Sequence, residues 1–254
     1  MNKIKFILTI LILSSVQLLS QGFDWQYSIR FPSNSPKFFV GASSSKIFST
    51  GTSDISFSEL YIPCCSFSSP VSDGFSFGLN AEYWLNSGVE AISLSMNFRK
   101  NNFNLKATPD PVFYKNDTLY TEIINDNIIN YFDVSGLYKY RINNSHFSLS
   151  AGIMLNILLS NYYKVRENVI SLDDTFNNGE TSREIINGST NDLSKIIISP
   201  IIRVNYDLSI VNSIYSTFYA DFGVNLNSMI KDDSWRNYQF SIGIAFYFGF
   251  IFLN

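Results

Sequence analysis

The segment Tyr238–Phe250 alternates strictly between large apolar residues and small or polar ones. Its even positions are Tyr, Phe or Ile, its odd positions are Gln, Ser, Gly, Ala or Tyr, and none carries a charge. A period of two predicts a β-strand with two different faces. A soluble sheet would place charge on its exposed face, whereas a bulky face opposite a small one is typical of a membrane barrel, with rings toward lipid and small groups toward the lumen.

The N-terminal residues have the composition of an export signal. Residues 1–20 contain two lysines near the start, then an apolar run from Phe6 to Leu13 and a polar end. This order predicts a cleaved secretory signal peptide, a periplasmic lead-in at 21–36 and one domain at 37–254. The mature chain is therefore expected to be exported.

Composition limits how the exported chain can cross a membrane. Polar residues interrupt every later apolar run before the roughly 18 residues that a spanning helix requires. A membrane span would then be a β-barrel, because a closed ladder satisfies every backbone group. Charged residues make up 15% and aromatic residues 16% of the chain, which favours a lipid-facing surface, and the net charge of −3 gives no reason to expect nucleic acid.

Other segments show the same strand-like periodicity. They lie at residues 37–48, 74–86, 89–100, 129–142, 145–162, 193–207 and 213–227, with long connections at 49–73, 101–128, 163–191 and 228–236. Together with the C-terminal segment they predict an all-β fold, an antiparallel, up-and-down transmembrane β-barrel of eight strands. Alternating long and short connections indicate a Gram-negative outer-membrane location with both termini periplasmic. Ten strands would result if the lead-in and a hairpin at Val112–Glu122 also inserted.

Parity predicts the register of two hairpins. When two residues face each other across a hairpin, their residue numbers add up to the same value along the whole strand pair, which we call the facing sum. In each hairpin this sum is odd, which leaves an even number of residues in the turn. A facing sum of 175 predicts a two-residue turn at Ser87–Gly88, and a second turn is predicted at Asn143–Asn144. Gly and Asn tolerate the positive φ angles that such turns require.

The alternation sorts strand residues into two sets. Inward positions are predicted to form a polar network in the lumen: Glu82, Arg99, Asp133, Lys139, Arg141, His146, Arg203 and Asp221. Outward positions near the periplasmic interface are predicted to form an aromatic girdle: Tyr83, Tyr138, Tyr140, Phe147, Tyr206, Phe248 and Phe250. An eight-stranded barrel has room inside only for side chains, so we expect the charges to pair and the lumen to be closed.

Catalytic and metal chemistry has little support in the sequence. The single histidine, His146, is predicted to face Arg141 at the periplasmic end, which is the wrong rim for surface lipid. Cys64 and Cys65 are adjacent, either an incidental pair or a vicinal disulfide, and define no disulfide framework. We therefore expect no catalytic residue, no metal and no cofactor, and the chain is not expected to be an enzyme.

The segment Tyr131–Tyr140 reads Y-F-D-V-S-G-L-Y-K-Y. It resembles a strand of the PorT-like outer-membrane β-barrel proteins of the Bacteroidota type, in which an aromatic-acidic-aliphatic start runs into an aliphatic-Lys-aromatic end. The likeness extends to the following Gly-containing strand and to the aromatic C-terminus. It implies an integral outer-membrane barrel, and partners in the envelope or in type IX secretion.

Three functions from different classes remain. The first is a monomeric structural or interaction barrel in outer-membrane lipid that presents surface loops or joins an envelope complex, without an open pore. The second is a lipid-modifying outer-membrane enzyme, which would need a Ser/His/acid set at the outer rim. The third is a soluble lipocalin-like periplasmic carrier, which would need an apolar lumen and a charged exterior. The first is preferred, largely because the sequence shows no site chemistry, and the alternation is the reverse of what the third would need.

Overall fold

The computed structural model describes most of the predicted barrel domain. The described residues are 36–51, 68–85, 89–107, 112–114, 117–142, 145–170, 175–176, 178–211, 213–231 and 235–250. The predicted signal peptide, the lead-in before residue 36 and the Cys64–Cys65 pair lie outside them. Within these ranges no helix is long and apolar enough to cross a membrane.

Strands account for nearly all of the described chain. In order they are β1 (Phe38–Gly51), β2 (Ser68–Trp84), β3 (Glu90–Ala107), β4 (Val112–Tyr114), β5 (Asp117–Leu119), β6 (Thr121–Arg141), β7 (Phe147–Val169), β8 (Ser182–Gly188), β9 (Ile196–Val211), β10 (Ile214–Val224) and β11 (Asn237–Phe250). The large sheet has nine strands, and eight of them close a ring in the order β1, β2, β3, β6, β7, β9, β10, β11. Each ring strand pairs antiparallel with the next one along the chain, and β11 returns to β1.

This ring confirms the predicted eight-stranded, antiparallel, up-and-down barrel. The hairpin predicted at Val112–Glu122 forms as β4 and β5, with Tyr114 opposite Asp117, but pairs outside the ring as its own two-stranded sheet. The ninth strand of the large sheet, β8, joins only the far end of β7. The described residues therefore support eight ring strands and not ten.

The faces of β11 are those that its alternation predicts. Ser241, Ala245 and Tyr247 are buried, whereas Phe240 and Phe246 are exposed on the outside. The sequence left the facing of the first strand open because serine dominates both sides. In β1 the odd positions point inward, as the register that pairs each β1 residue with β11 requires.

The two predicted hairpin registers have different outcomes. Trp84 lies opposite Ala91, which confirms the facing sum of 175; the turn residues 86–88 lie outside the described residues. In the second hairpin Arg141 lies opposite Ser148, two residues away from the predicted register. The physical reason is Ser145: its amide (3.0 Å) and its hydroxyl (2.5 Å) both donate to the Ile142 carbonyl, which makes a wider turn.

We name the two ends of the barrel by their residues. The terminal rim is the end where β1 begins and β11 ends, near Phe38 and Phe250, which face each other across that pair. The opposite end is the extended rim, because β6 and β7 run well past β9 and β10 there, and β2 pairs with β3 as far as Ser68 opposite Lys106. β3, β6 and β7 are longer than predicted and, with β8, form an extended wall from regions that the sequence assigned to the loops 101–128 and 163–191.

A β-bulge marks the base of the extended wall. Asn130 faces Ser160 and Tyr131 faces Leu158, so Leu159 is an extra residue in β7. The bulge reverses the facing along β7: Asn156 points inward before it and Tyr163 after it. Because the inward positions change from even to odd within β7, its sequence does not show one continuous apolar–polar alternation. The second half of the strand was therefore not predicted.

The outer face of the extended wall is polar. Lys106 pairs with Glu122 (3.3 Å), Lys164 pairs with Glu184 (2.6 Å), and Arg166 pairs with Asp126, all on half-exposed or exposed side chains. A hydrogen bond from Lys164, and to a smaller extent one from Asn187, lowers the pKa of Glu184 below its ordinary value. Nearer the terminal rim the outer face instead carries exposed apolar side chains such as Leu94, Ile153 and Ile202, and we call this surface the apolar band. Ion pairs belong in water, so the apolar band ends at the base of the wall.

The apolar band predicts how charge is tolerated at different heights. Ile153 is 56% exposed in the middle of the band, and Ile153→Arg should cost about 2 to 4 kcal/mol of barrel stability, because the guanidinium would lie in hydrocarbon. The measurement is urea unfolding of the refolded chain in lipid vesicles.

The control for that substitution is Asn102→Arg, which also faces outward but lies in the extended wall. Its charge would lie in water and should change stability by less than about 0.5 kcal/mol. Equal losses in the two variants would show that the band is misplaced.

Candidate functional site

The lumen near the terminal rim is organised around the ammonium group of Lys139. Lys139 Nζ lies 3.3 Å from Glu82 Oε2 and 2.9 Å from Asp207 Oδ2, and all three side chains are buried. Ser93 donates to Glu82 at 2.9 Å and Thr217 donates to Asp207 at 2.6 Å. Two carboxylates thus share one cation, and neighbouring hydroxyls fill their remaining acceptor positions, as buried charges require.

A second ion pair joins distant walls farther from the terminal rim. Arg99 Nε on β3 lies 3.0 Å from Asp133 Oδ2 on β6, and the same guanidinium donates to Gln239 on β11. Asn156 on β7 donates to Asp133 Oδ1 at 2.9 Å. The pair therefore ties four strands together across the lumen.

The third ion pair, between Arg203 and Asp221, links β9 to β10. Arg203 Nε and Nη2 donate to the two Asp221 oxygens at 2.6 and 3.0 Å, and Ser241 donates to the same carboxylate at 3.1 Å. The guanidinium lies 4.1 Å from the centre of the Tyr219 ring. Gly243 makes room for that ring, since a Cβ there would come within 2.4 Å of Tyr219 Cζ.

The charges of this network balance. Its cations are the buried Arg99, Lys139 and Arg141 and the largely buried Arg203, and its carboxylates are Glu82, Asp133, Asp207 and Asp221. The predicted network omits Asp207, although the alternation of its strand faces it inward. An unpaired charge in a dry interior is costly, so the excess of cations over carboxylates in the predicted set was the signal that one carboxylate was missing.

Aromatic rings fill the lumen around the Lys139 cluster. Tyr215 stacks on Tyr247 with ring centres 4.7 Å apart and meets Phe39 edge-on at 4.9 Å. The Arg141 guanidinium lies 4.3 Å from the centre of the Trp84 ring, and both side chains are buried. Rings and cations thus occupy the interior of the barrel near the terminal rim.

A cluster of buried apolar residues, which we call the apolar cap, lies inside the barrel toward the extended rim. It consists of Phe103, Leu105, Ala107, Ile123, Ile129, Tyr131, Tyr163, Val165, Leu193, Ile197, Met229, Ile230 and Trp235. Trp235 meets Phe103 edge-on at 5.2 Å, and Leu193 forms a β-bridge with Ile230. Sequence analysis missed the cap because it assigned 101–128 and 228–236 to loops. The available signal was the inward parity of β3, which continues through Phe103 and Leu105.

His146 lies at the terminal rim. The predicted position opposite Arg141 is wrong, because Ser148 occupies it. His146 Nδ1 donates to the carbonyl of Asp207 at 2.7 Å, and the ring packs 5.4 Å from that of Tyr206. The histidine thus borders the Lys139 cluster through the main chain of Asp207. Among the described residues, no group of three or more His, Cys, Asp and Glu is placed to hold a metal ion.

The residues of the predicted aromatic girdle all lie on the outer face near the terminal rim. Tyr83, Tyr138, Tyr140, Phe147, Phe248 and Phe250 are exposed, and Tyr206 is half-buried. Phe147 and Tyr206 contact each other with ring centres 5.0 Å apart. Rings at this height are typical of the boundary between the apolar band and water.

Comparison with known proteins reaches the fold level only. No protein-family model and no curated protein matches the sequence. Similar solved structures include Neisserial surface protein A (14% identity, 86% of this chain and 100% of that chain, TM-score 0.34) and Ail of Yersinia pestis (12%, 84% and 99%, TM-score 0.38). The outer-membrane protease OmpT of Escherichia coli is also similar (10%, 88% and 100%, TM-score 0.36). The assignment as an outer-membrane-type β-barrel rests on the ring of strands itself.

The expectation that the chain is not an enzyme has to be corrected. It rested on the lack of a Ser/His/acid set at the outer rim. An outer-membrane protease stands among the proteins of similar fold, at 10% identity. A barrel of this kind therefore does not exclude catalysis, and the fold alone assigns no activity to this chain.

The shared cation gives a test of the lumen network. Lys139→Met would leave Glu82 and Asp207 buried without their common partner, and we expect a loss of about 3 to 5 kcal/mol in the free energy of unfolding. The measurement is urea unfolding of the refolded barrel in detergent micelles.

The control is Lys106→Met, which removes an exposed pair with Glu122 at 3.3 Å. It should cost less than about 1 kcal/mol, because water screens that pair. A loss at Lys139 no larger than that at Lys106 would mean that the two carboxylates do not depend on the ammonium group.

Proposed function

We propose that the chain is an integral outer-membrane protein with a sealed lumen, whose barrel holds the extended wall at the cell surface for interaction with other molecules. The observation that carries the proposal is the filling of the lumen from rim to rim. Rings and the Lys139 cluster occupy the terminal rim, two further ion pairs occupy the middle, and the apolar cap occupies the extended rim.

The filled lumen argues against transport through the barrel. Trp84 and Tyr215 are fully buried in the half of the barrel nearer the terminal rim, and Phe103 and Trp235 are buried in the apolar cap. Opening a path would separate ion pairs or expose the apolar cap, and each step costs several kcal/mol. The surfaces left for recognition are therefore the rims and the outer face.

The orientation follows from the difference between the rims. The terminal rim carries the aromatic girdle and short connections, which suits a periplasmic face. The extended rim carries a wall whose outer pairs, such as Lys164 with Glu184, suit water beyond the membrane. We therefore place the termini in the periplasm and the wall outside, with residues 1–20 acting as the export signal.

The PorT-like resemblance supplies the class of partner within this proposal. It favours a monomeric barrel that works with other components of the envelope, including those of type IX secretion. The lipocalin-like alternative has less support, because Arg203 and Asp221 pair inside the barrel whereas Ile153 and Phe246 face outward. A carrier of apolar ligands would need the reverse arrangement.

A sealed lumen makes a prediction about conductance. The purified protein in planar bilayers should show no stable channels, because an eight-stranded barrel filled with side chains leaves no continuous water path. A porin reconstituted in the same lipid serves as the positive control. Steady, porin-sized conductance by the folded protein would contradict the proposal.

Single cysteines test the orientation. After Cys64→Ser and Cys65→Ser, Asn187→Cys on the exposed strand β8 should react with a membrane-impermeant maleimide in intact cells. Ser145→Cys, at the turn of the terminal rim, should react only after the outer membrane is opened. Labelling is read by mass shift on gels. The reverse pattern would invert the topology and place the extended wall in the periplasm.

A further inference from the structure

A stack of phenylalanine rings lies on the outer face of β2 and β3. Phe75 and Phe77 stack with ring centres 6.4 Å apart, and Phe77 meets Phe98 at 5.5 Å. Phe75 and Phe77 are 45% and 53% exposed although they are large and apolar. The stack lies within the apolar band, so hydrocarbon chains are its natural contact in a membrane.

Two lysines flank the end of the ring stack that lies nearer the extended rim. In the strand register Lys46 of β1 and Lys100 of β3 lie on either side of Phe75, about 10 Å apart at two strand spacings. Lys46 pairs with Asp73 at 2.5 Å, and an ammonium group keeps further donors beyond one such bond. Lys100 has no carboxylate at ion-pairing distance among the described residues.

A pocket of about 500 Å³ begins directly beyond the lysines, toward the extended rim. Its lining includes Phe48, Asp73, Asn102, Asn104 and Lys106, all on the outer face. The register sets Phe48, Asp73 and Asn102 in the row next to Lys46 and Lys100. The lining also includes Val71, so apolar surface lies beside the polar groups. The amides, the carboxylate and the ammonium group offer both donors and acceptors for a hydroxyl-rich ligand, in a space of ligand size.

We infer that this face binds a phosphorylated glycolipid of the outer leaflet. The acyl chains lie on the Phe75, Phe77 and Phe98 rings, a phosphate lies between Lys46 and Lys100, and the sugar enters the pocket lined by Asn102 and Asn104. The inference rests on the proposed function, since only an outer-membrane barrel with its extended rim outside presents this face to that lipid.

The net charge of this face, and the order of its apolar, cationic and polar groups from the membrane outward, favour this class of lipid. Lys46, Lys100, Lys106 and Arg166 outnumber the neighbouring carboxylates, Asp73, Glu122 and Asp126, by one, so the face carries a small net positive charge. Along the face, apolar rings, then the two lysines, then the pocket with its mixed polar and charged groups follow one another in the order of chains, phosphate and sugar. A glycerophospholipid would match the first two but would leave the pocket empty.

Native mass spectrometry of the refolded mature chain in mild detergent tests the inference. The probes are a bisphosphorylated, acylated disaccharide, the same molecule without phosphates, and phosphatidylglycerol. The wild-type protein should retain one molecule of the first probe in preference to the other two. The double variant Lys46→Gln/Lys100→Gln should retain it about tenfold less, because each lysine near the membrane surface contributes to binding of anionic lipid.

Two further variants sharpen the test. Lys164→Gln/Lys195→Gln removes the same charge from exposed or half-exposed lysines elsewhere on the extended rim and should leave retention unchanged. Asn102→Ala/Asn104→Ala should weaken retention of the glycolipid and not of phosphatidylglycerol. Every variant is first shown to be folded by heat-modifiable migration on gels.

Several outcomes would overturn the inference. Equal retention of phosphatidylglycerol and the glycolipid would indicate a general attraction to anionic lipid, and equal losses in the two lysine variants would indicate nonspecific charge. A folded barrel in the outer membrane without glycolipid selectivity would overturn this inference alone. Recovery of the protein from the soluble periplasm would overturn the proposed function as well.

Discussion

The structure depends on one constraint: backbone hydrogen-bonding groups have no partner in hydrocarbon unless the sheet closes on itself. The pairing of β11 with β1 meets this constraint, with an unbroken register from Phe38 opposite Phe250 to Gly51 opposite Asn237. Closure with eight strands then fixes the size of the interior. A narrow interior favours ion pairs and hydrogen bonds among the charged residues on inward parity.

Compensation of buried charge explains the arrangement inside the ring. Lys139 serves two carboxylates, Arg99 reaches both Asp133 and Gln239, and every ion pair joins different strands. The apolar cap beyond these layers permits β3, β6 and β7 to continue past the apolar band, because their inner faces remain buried there. The same strands carry polar pairs on their outer faces. A barrel with a filled interior can thus support a wall of strands that extends beyond the ring.

Sequence analysis recovered the features that follow from uninterrupted alternation. The closing strand, the eight-strand ring, the facing sum of 175 and the polar lumen all depend on parity. The extensions of β6 and β7 were not predicted, because apolar residues occupy both faces of one strand and a bulge interrupts the alternation of the other. In β6 Ile124 and Ile128 face outward while Ile123 and Ile129 face inward, so both faces look apolar, and Leu159 shifts the alternation within β7. The wider turn at Ser145 depends on a hydrogen bond from the Ser145 hydroxyl to the Ile142 carbonyl, which could not be predicted from the Asn143–Asn144 pair.

The most direct test of a closed, sealed barrel uses its own tryptophans. With Trp25 and Trp235 replaced by Phe, Trp84 becomes the only tryptophan, fully buried inside the lumen. In lipid vesicles its fluorescence should resist both aqueous acrylamide and brominated lipid, whereas a tryptophan placed at Tyr138 on the outer face should be quenched by the lipid. Quenching of Trp84 by acrylamide would reveal a water-filled lumen, and quenching by brominated lipid would show that the strand faces are reversed.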